Sequence, residues 1–319
     1  PPMEEPRDLL LGLTREPDYG HGGAWCMKYS ASSMLTIETC LVHADSWPYT
    51  PSLKRYREVS QRDRHSVAAD FGRRLGTALT EEGQPAVVCV EKPYLDGFIE
   101  GVAQTIGVPF VLLALNGGDE PLTCDMQARL AQLPCLKACF GNNLHQPQDG
   151  HFFRPMPIGI TAESLLYRVK IAARPWEERD SRLLMAPMRM NNRLRGRYME
   201  VLSSPCYSHI VRIVAGRLTH EEFLVLLSEH QSVLSPPGRG YDCGRTWQAL
   251  AVGTVPLVVN EESFDQRLLL DMGPEYIPLP GQLRPDLLED ILAQLHNPDR
   301  YADRVEIQYW QTLWRSYLR

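Results

Sequence analysis

The segment with the most chemical content is Ser232-Val-Leu-Ser235-Pro236-Pro237-Gly238-Arg239-Gly240-Tyr241-Asp242-Cys243-Gly244-Arg245-Thr246-Trp247-Gln248. An apolar run, a Pro/Gly-rich loop and the start of a helix-forming stretch follow one another directly. Glycines let a backbone approach a ligand closely, and the free N–H groups and dipole at a helix N-terminus favour phosphate oxygens. Arg239 and Arg245 add guanidinium groups that can grip a phosphate bidentately. The chemistry expected from Ser235, Pro236, Gly238, Arg239, Gly240, Tyr241, Asp242 and Arg245 is therefore capture of a phosphate or diphosphate. A Gly-rich loop is also an ordinary turn, so the flanking elements decide whether this one faces a ligand.

Those elements alternate. "AVVCV" (86–90) reads as a buried strand, the stretch from Leu95 to Ile106 as a helix and "PFVLLAL" (109–115) as the next strand, a βαβ unit. A helix at Asp125 to Leu133, a strand at "LKACF", the turn "GNN" and "MPIGI" (156–160) follow. The polar stretch from Thr161 to Ser181 reads as a crossing, after which alternation resumes: strand "RLLMAP", helix Asn192 to Leu202, strand "HIVRIVA", helix "THEEFLVLLSEH", strand "SVLSP", helix "CGRTWQALAVG" and strand "TVPLVV". Thr219 with Glu222 predicts a capping box, and Gly253 a helix stop. Arg284 to Arg319 reads as helical, with Trp310 and Trp314 in a core. Two alternating halves imply two parallel sheets, and a loop leaving the carboxyl end of a parallel strand lies where open α/β sheets bind ligands.

Composition narrows the classes. At 319 residues, 44% hydrophobic and 23% charged, the chain can build a sizeable core in two lobes. A net charge of −6 supplies no global basic field for nucleic acid. The eight cysteines are scattered, with no C-x-x-C pair and no zinc spacing, and are expected as free thiols. Only five of the 33 basic residues are lysine. No apolar run reaches the roughly 20 residues of a membrane span. The expectation is a cytoplasmic protein, or the catalytic domain of a lumenal one trimmed of its anchor.

The run Ser235-Pro-Pro-Gly238-x-Gly240-Tyr-Asp242-x-x-Arg245-x-x-Gln248-Ala-Leu250-x-x-Gly253-x-x-Pro256 resembles the donor-binding signature of exostosin-like glycosyltransferases. "VEKPYLDGFI", "PFVLLALNGGDEP" and "CFGNN...MPIGI" resemble the acceptor-lobe elements of that family. "APMRMNNRLRGRYMEVL" resembles its loop after the first donor-lobe strand and brings in Arg189, Asn192 and Arg195 as donor contacts. Where the family has a Glu for the nucleotide ribose, this chain has Gln248, which accepts a hydroxyl hydrogen bond without charge assistance. Residues 1–80 do not align, although "YGHGG" and "DSWPYTP" contain loops that could line an acceptor cleft.

The resemblance implies an α/β GT-B fold, two Rossmann-like lobes with parallel sheets facing across a cleft. It divides the chain into an acceptor lobe (1–160), a nucleotide-sugar lobe (161–300) and a C-terminal helix (301–319) packing back on the first lobe. It implies inverting transfer from a nucleoside-diphosphate sugar, such as UDP-xylose or another UDP-hexose or UDP-pentose, to a glycan hydroxyl, with no metal or other cofactor. An inverting reaction needs a base. Asp119, on the "NGGDEP" loop after a buried strand, is the first candidate and Glu120 its rival. Glu91, Asp96 and His145 are expected near acceptor hydroxyls, with His151 flanking them. A UDP-sugar epimerase and a non-catalytic nucleotide or glycan binder, for which Gln248 argues, remain open alternatives.

Overall fold

The computed structural model describes residues 61–103, 105–115, 121–145, 152–160, 171, 174–259, 274–298 and 307–318. These residues divide into two compact units, one built on 61–157 with 308–318, the other on 158–259 with 274–307.

In the first unit, α1 (Gln61–Glu82) leads into β1 (Ala86–Glu91), α2 (Leu95–Val102), β2 (Phe110–Leu115), α3 (Cys124–Ala131), β3 (Leu136–Gly141) and β4 (Phe153–Pro155). The sheet is parallel in the order β1-β2-β3-β4. Every residue of β1 and β2 is buried, which is why both read as unbroken apolar runs rather than alternating ones. Val88, Val90, Leu112 and Ala114 meet Phe98 and Val102 of α2 in one core. Thr123 caps α3 by accepting from the Met126 N–H. Helix α2 is shorter than its sequence pattern suggested, ending at Val102 because Thr105 and Ile106 turn back on the Val102 carbonyl.

Among the described residues of the segment expected to be helical, Arg284 to Arg319, helix lies at Pro285–Ala293 and at Ile307–Ser316. A later helix, Ile307–Ser316, belongs to the first unit, where Trp310 and Trp314 are buried and Tyr317 stands edge-on to Phe140 at 5.6 Å. The boundary between the units falls after Pro157.

The second unit contains β5 (Asp180–Met185), α4 (Arg193–Leu202), β6 (Val211–Ile213), α5 (His220–Ser228), β7 (His230–Leu234), α6 (Gly244–Ala251), β8 (Val255–Val259), β9 (Glu275–Ile277) and α7 (Pro285–Ala293). Its sheet is parallel in the order β6-β5-β7-β8-β9. Alternate residues along β5 and just past its end serve opposite faces. Leu183 and Met185 join α4 and α7 through Tyr198, Leu202 and Leu288, whereas Leu184 and Ala186 join α5 and α6 through Leu224, Leu227 and Ala249. The capping box is present: Thr219 Oγ1 accepts from the Glu222 N–H, and Glu222 Oε2 accepts from the Thr219 N–H at 2.7 Å. Gly253 closes α6 at φ 73°, a left-handed conformation that glycine adopts without strain.

Candidate functional site

The strand order of the second sheet creates a topological switch. The chain leaves β5 for β6 on one side and then returns to β7 on the other. The loops after β5 and β7 therefore diverge, and a crevice opens outside the carboxyl ends of these two strands. The Pro/Gly loop is the one after β7, so it borders this crevice.

Several of its polar groups are turned inward to hold it. Ser235 is buried, its N–H donating to the Leu257 carbonyl at 2.8 Å and its Oγ lying 2.9 Å from Thr246 Oγ1. Asp242 accepts from Trp247 Nε1 at 2.6 Å and from the Ile158 N–H at 2.7 Å. The Tyr241 hydroxyl donates to the Val259 carbonyl at 2.7 Å. Gly238 donates its N–H to Gly240 O, tightening the turn. These bonds shape the loop and deliver it to the start of α6. No side chain caps that start and its first turn holds no acidic residue, so the positive end of the helix dipole is retained. A Cβ on Gly244 would meet no atom within 4 Å, so the helix start is open there.

Two arginines tie the diverging loops together, each from the helix that follows the other loop's strand. Arg195 of α4, which follows β5, donates Nε to Pro237 O at 2.9 Å and Nη2 to Pro236 O at 3.3 Å in the loop after β7. Its Nη1 donates to Arg189 O and Asn191 Oδ1, both at 2.9 Å. Arg245 of α6, which follows β7, donates to Ala186 O at 3.3 Å and Pro187 O at 2.6 Å in the loop after β5, with its guanidinium 5.1 Å from the Phe223 ring centre. Asn192 caps α4 by accepting from the Leu194 N–H and donates Nδ2 to Gly238 O at 2.7 Å. Burial pushes the Arg245 pKa down to about 10; the Cys243 thiol opposes this and the like charge of Arg195 adds to it. Two cations held close together on carbonyl oxygens make the crevice electropositive before any anion arrives.

The remaining expected donor contacts are placed as follows. Arg239 and Arg189 are exposed, and Gln248 is half-buried on α6. Pro236, Gly238 and Gly240 are buried.

In the first unit, Glu91 is buried at the carboxyl end of β1. Asp96 lies on the exposed side of the first turn of α2 in an ion pair with Arg129, because α2 buries Leu95, Phe98, Ile99 and Val102 instead. His145 is half-buried, its backbone exchanging hydrogen bonds with Leu122 O and Gln127 Nε2. Asp119, Glu120 and His151 lie outside the described residues, as do "YGHGG" and "DSWPYTP".

Sequence reasoning missed Lys92 and Asn142. Lys92 is buried and reaches from the end of β1 past the end of β2 to donate Nζ to Asn142 O at 3.4 Å; Asn142 is itself 1% exposed, with no partner at Oδ1. A lysine directly after an apolar strand was the available signal. Cys89 and Cys139 are buried thiols whose pKa values burial pushes up, so neither is a ready nucleophile. Among the described residues no three His, Cys, Asp or Glu side chains gather as a metal site.

No protein-family model matches the chain, and no curated protein matches it in sequence. Solved structures do. The α,α-trehalose 6-phosphate synthase of Burkholderia multivorans is 10% identical with a TM-score of 0.49, over 84% of this chain and 76% of that one. The UDP-forming α,α-trehalose-phosphate synthase of Burkholderia vietnamiensis is 11% identical with a TM-score of 0.47, over 84% and 80%. A spinosyn rhamnosyltransferase complexed with thymidine diphosphate is 16% identical with a TM-score of 0.38, over 83% and 80%.

Proposed function

We propose that this chain is a GT-B glycosyltransferase that binds a nucleoside-diphosphate sugar, with UDP-sugars the first candidates, in the crevice at the carboxyl ends of β5 and β7. One observation carries the reading: a Pro/Gly loop at the switch point of a parallel sheet runs into an uncapped helix start, beside the buried Arg195, the half-buried Arg245 and the exposed Arg239. That arrangement suits a diphosphate, whose oxygens accept from helix N–H groups and whose charge balances the cations. Gln248 would accept from a ribose hydroxyl. The transfer is read as inverting and metal-independent, with the cationic crevice stabilising the departing diphosphate. Asp119 is proposed as the base for the acceptor hydroxyl, with Glu120 as its rival and Glu91 and His145 as acceptor contacts.

Titration calorimetry with UDP, GDP and CMP tests the donor site. UDP is expected to bind, and Arg239→Ala to weaken it by about 1.5 to 3 kcal/mol, the range for a hydrogen bond to a charged group. Unchanged affinity in the folded variant removes Arg239 from the site. Release of UDP from UDP-sugars in excess EDTA tests metal independence, and conversion of the sugar without any acceptor would favour an epimerase.

A further inference from the structure

Given the donor reading above, we propose that Arg195 and Arg245 are positioning residues, a reciprocal pair of straps that set the width of the crevice, and not ligands of the diphosphate. The sequence motif casts both as anion contacts. The geometry gives them other work. Each guanidinium crosses the switch point and donates to backbone carbonyls of the loop on the far side, Arg195 to Pro236 and Pro237, Arg245 to Ala186 and Pro187. Nε, Nη1 and Nη2 of Arg195 are all engaged within the protein, as are both terminal nitrogens of Arg245.

These two loops are the ones that the strand order drives apart. Pro236 and Pro237 lie beyond the end of β7, outside the sheet ladder, and the planar fork of Arg195 donates to the carbonyls of both. Asn192 adds a third tie at Gly238 O. The space is matched closely, since a Cβ on Gly238 would stand 3.0 Å from Arg195 Nη2. Drawing in the carbonyls of Pro236, Pro237 and Gly238 also removes three acceptors that would otherwise be able to turn toward an anionic ligand. The crevice is thus preorganised by cations that stabilise a diphosphate through their field while their hydrogen bonds are spent on the protein.

The test is UDP affinity by calorimetry across a salt series for Arg195→Lys, Arg245→Lys, the double variant, Arg195→Met and Asn192→Ser. Lysine keeps the charge and loses the fork; Asn192→Ser keeps the helix cap and loses the reach to Gly238 O. Straps predict that each lysine variant and Asn192→Ser weaken UDP by roughly tenfold, the worth of one or two hydrogen bonds. They also predict that the double lysine variant loses less than the product of the single losses, and that the slope of log Kd on log salt stays that of the wild type for the lysine variants and Asn192→Ser. Lysine variants that bind like the wild type, with a weakened Arg195→Met of reduced salt slope, would show direct phosphate contact and overturn the proposal. So would folded variants that all bind like the wild type, since the residues would then be structural only. Should the wild type bind no UDP, the donor reading falls, and amide exchange at 238–241 separates the two ideas: faster in Arg195→Lys if the straps hold the loop, unchanged if they do not.

Discussion

His230 shows how a single side chain can carry pH sensitivity into the fold away from the crevice. It begins β7, is fully buried, and its Nδ1–H donates to Leu226 O at 2.7 Å. Nε2 lies 3.8 Å from Asp180 Oδ2. Asp180 in turn accepts from Arg182 and stands 3.5 Å from Arg212, and its carboxyl is held down to about 2, the Arg182 hydrogen bond being the main cause. Burial pushes the His230 pKa below its usual value, with Arg212 acting the same way and the Leu226 carbonyl, Asp180 and Glu229 opposing. A histidine with a depressed folded pKa stabilises the fold above its unfolded pKa, about 6.5, and that contribution is lost as the pH falls below it. Asp180 follows the same sign at lower pH, losing its contribution only as the pH falls from about 4 toward 2. The urea midpoint is therefore expected to drop between pH 7 and 5. His230→Asn, which keeps a donor near Leu226 O and cannot titrate, should flatten that drop; an equal slope in both proteins would show that His230 does not set it.

At the scale of elements, the packing of α1 on α2 depends on glycines as well as on the apolar side chains the two helices share in one core. A Cβ on Gly97 or Gly101 would fall inside the carbonyl oxygens of His65 and Ala69, and one on Gly72 would stand 2.7 Å from Phe98 O. Backbones this close leave no room for a methyl group. Gly101→Ala is expected to destabilise the protein by about 1 to 3 kcal/mol through overpacking, although alanine is the better helix former. Gly196, exposed in α4 with no atom within 4 Å of a would-be Cβ, gives the matching control, and Gly196→Ala should stabilise by up to about 1 kcal/mol. Chemical denaturation of the two variants checks the signs, and a gain at Gly101 would show that α1 can move away. Helix α1 itself lies in the part of the sequence that matched no pattern. Its signature was Gly72 on one helix and Gly97 and Gly101 on the other, Gly72 standing against Phe98 to Val102 while Gly97 and Gly101 stand against His65 and Ala69, a pattern with no meaning until the two helices are known to touch.

The whole molecule is two units with separate cores, and the proposed donor crevice lies wholly in the second. A ligand that binds only the folded state stabilises it by about 2.7 kcal/mol at 100 times its Kd. UDP is therefore expected to protect amides of β5, β7 and α6 from hydrogen exchange while leaving β1 and β2 nearly unchanged. Equal protection of β1 and β2 would place part of the nucleotide site in the first unit.

Much of this was legible from the sequence because its cause is local. Short unbroken apolar runs rich in Val and other strand formers read as strands buried on both faces, so β1, β2 and β8 were recognisable, as were the Thr219 capping box and the Gly253 stop. The Pro/Gly loop before α6 was legible for the same reason. The use of each arginine was not. Whether Arg245 meets an anion or the carbonyls of Ala186 and Pro187 depends on which strand lies beside β7, and hydrophobic periodicity carries no information about strand order. The division of the C-terminal segment between two units, the tie from Asp242 to Ile158 and the reach of Lys92 to Asn142 share that origin. Each joins residues far apart in the chain, so only the tertiary structure could decide it.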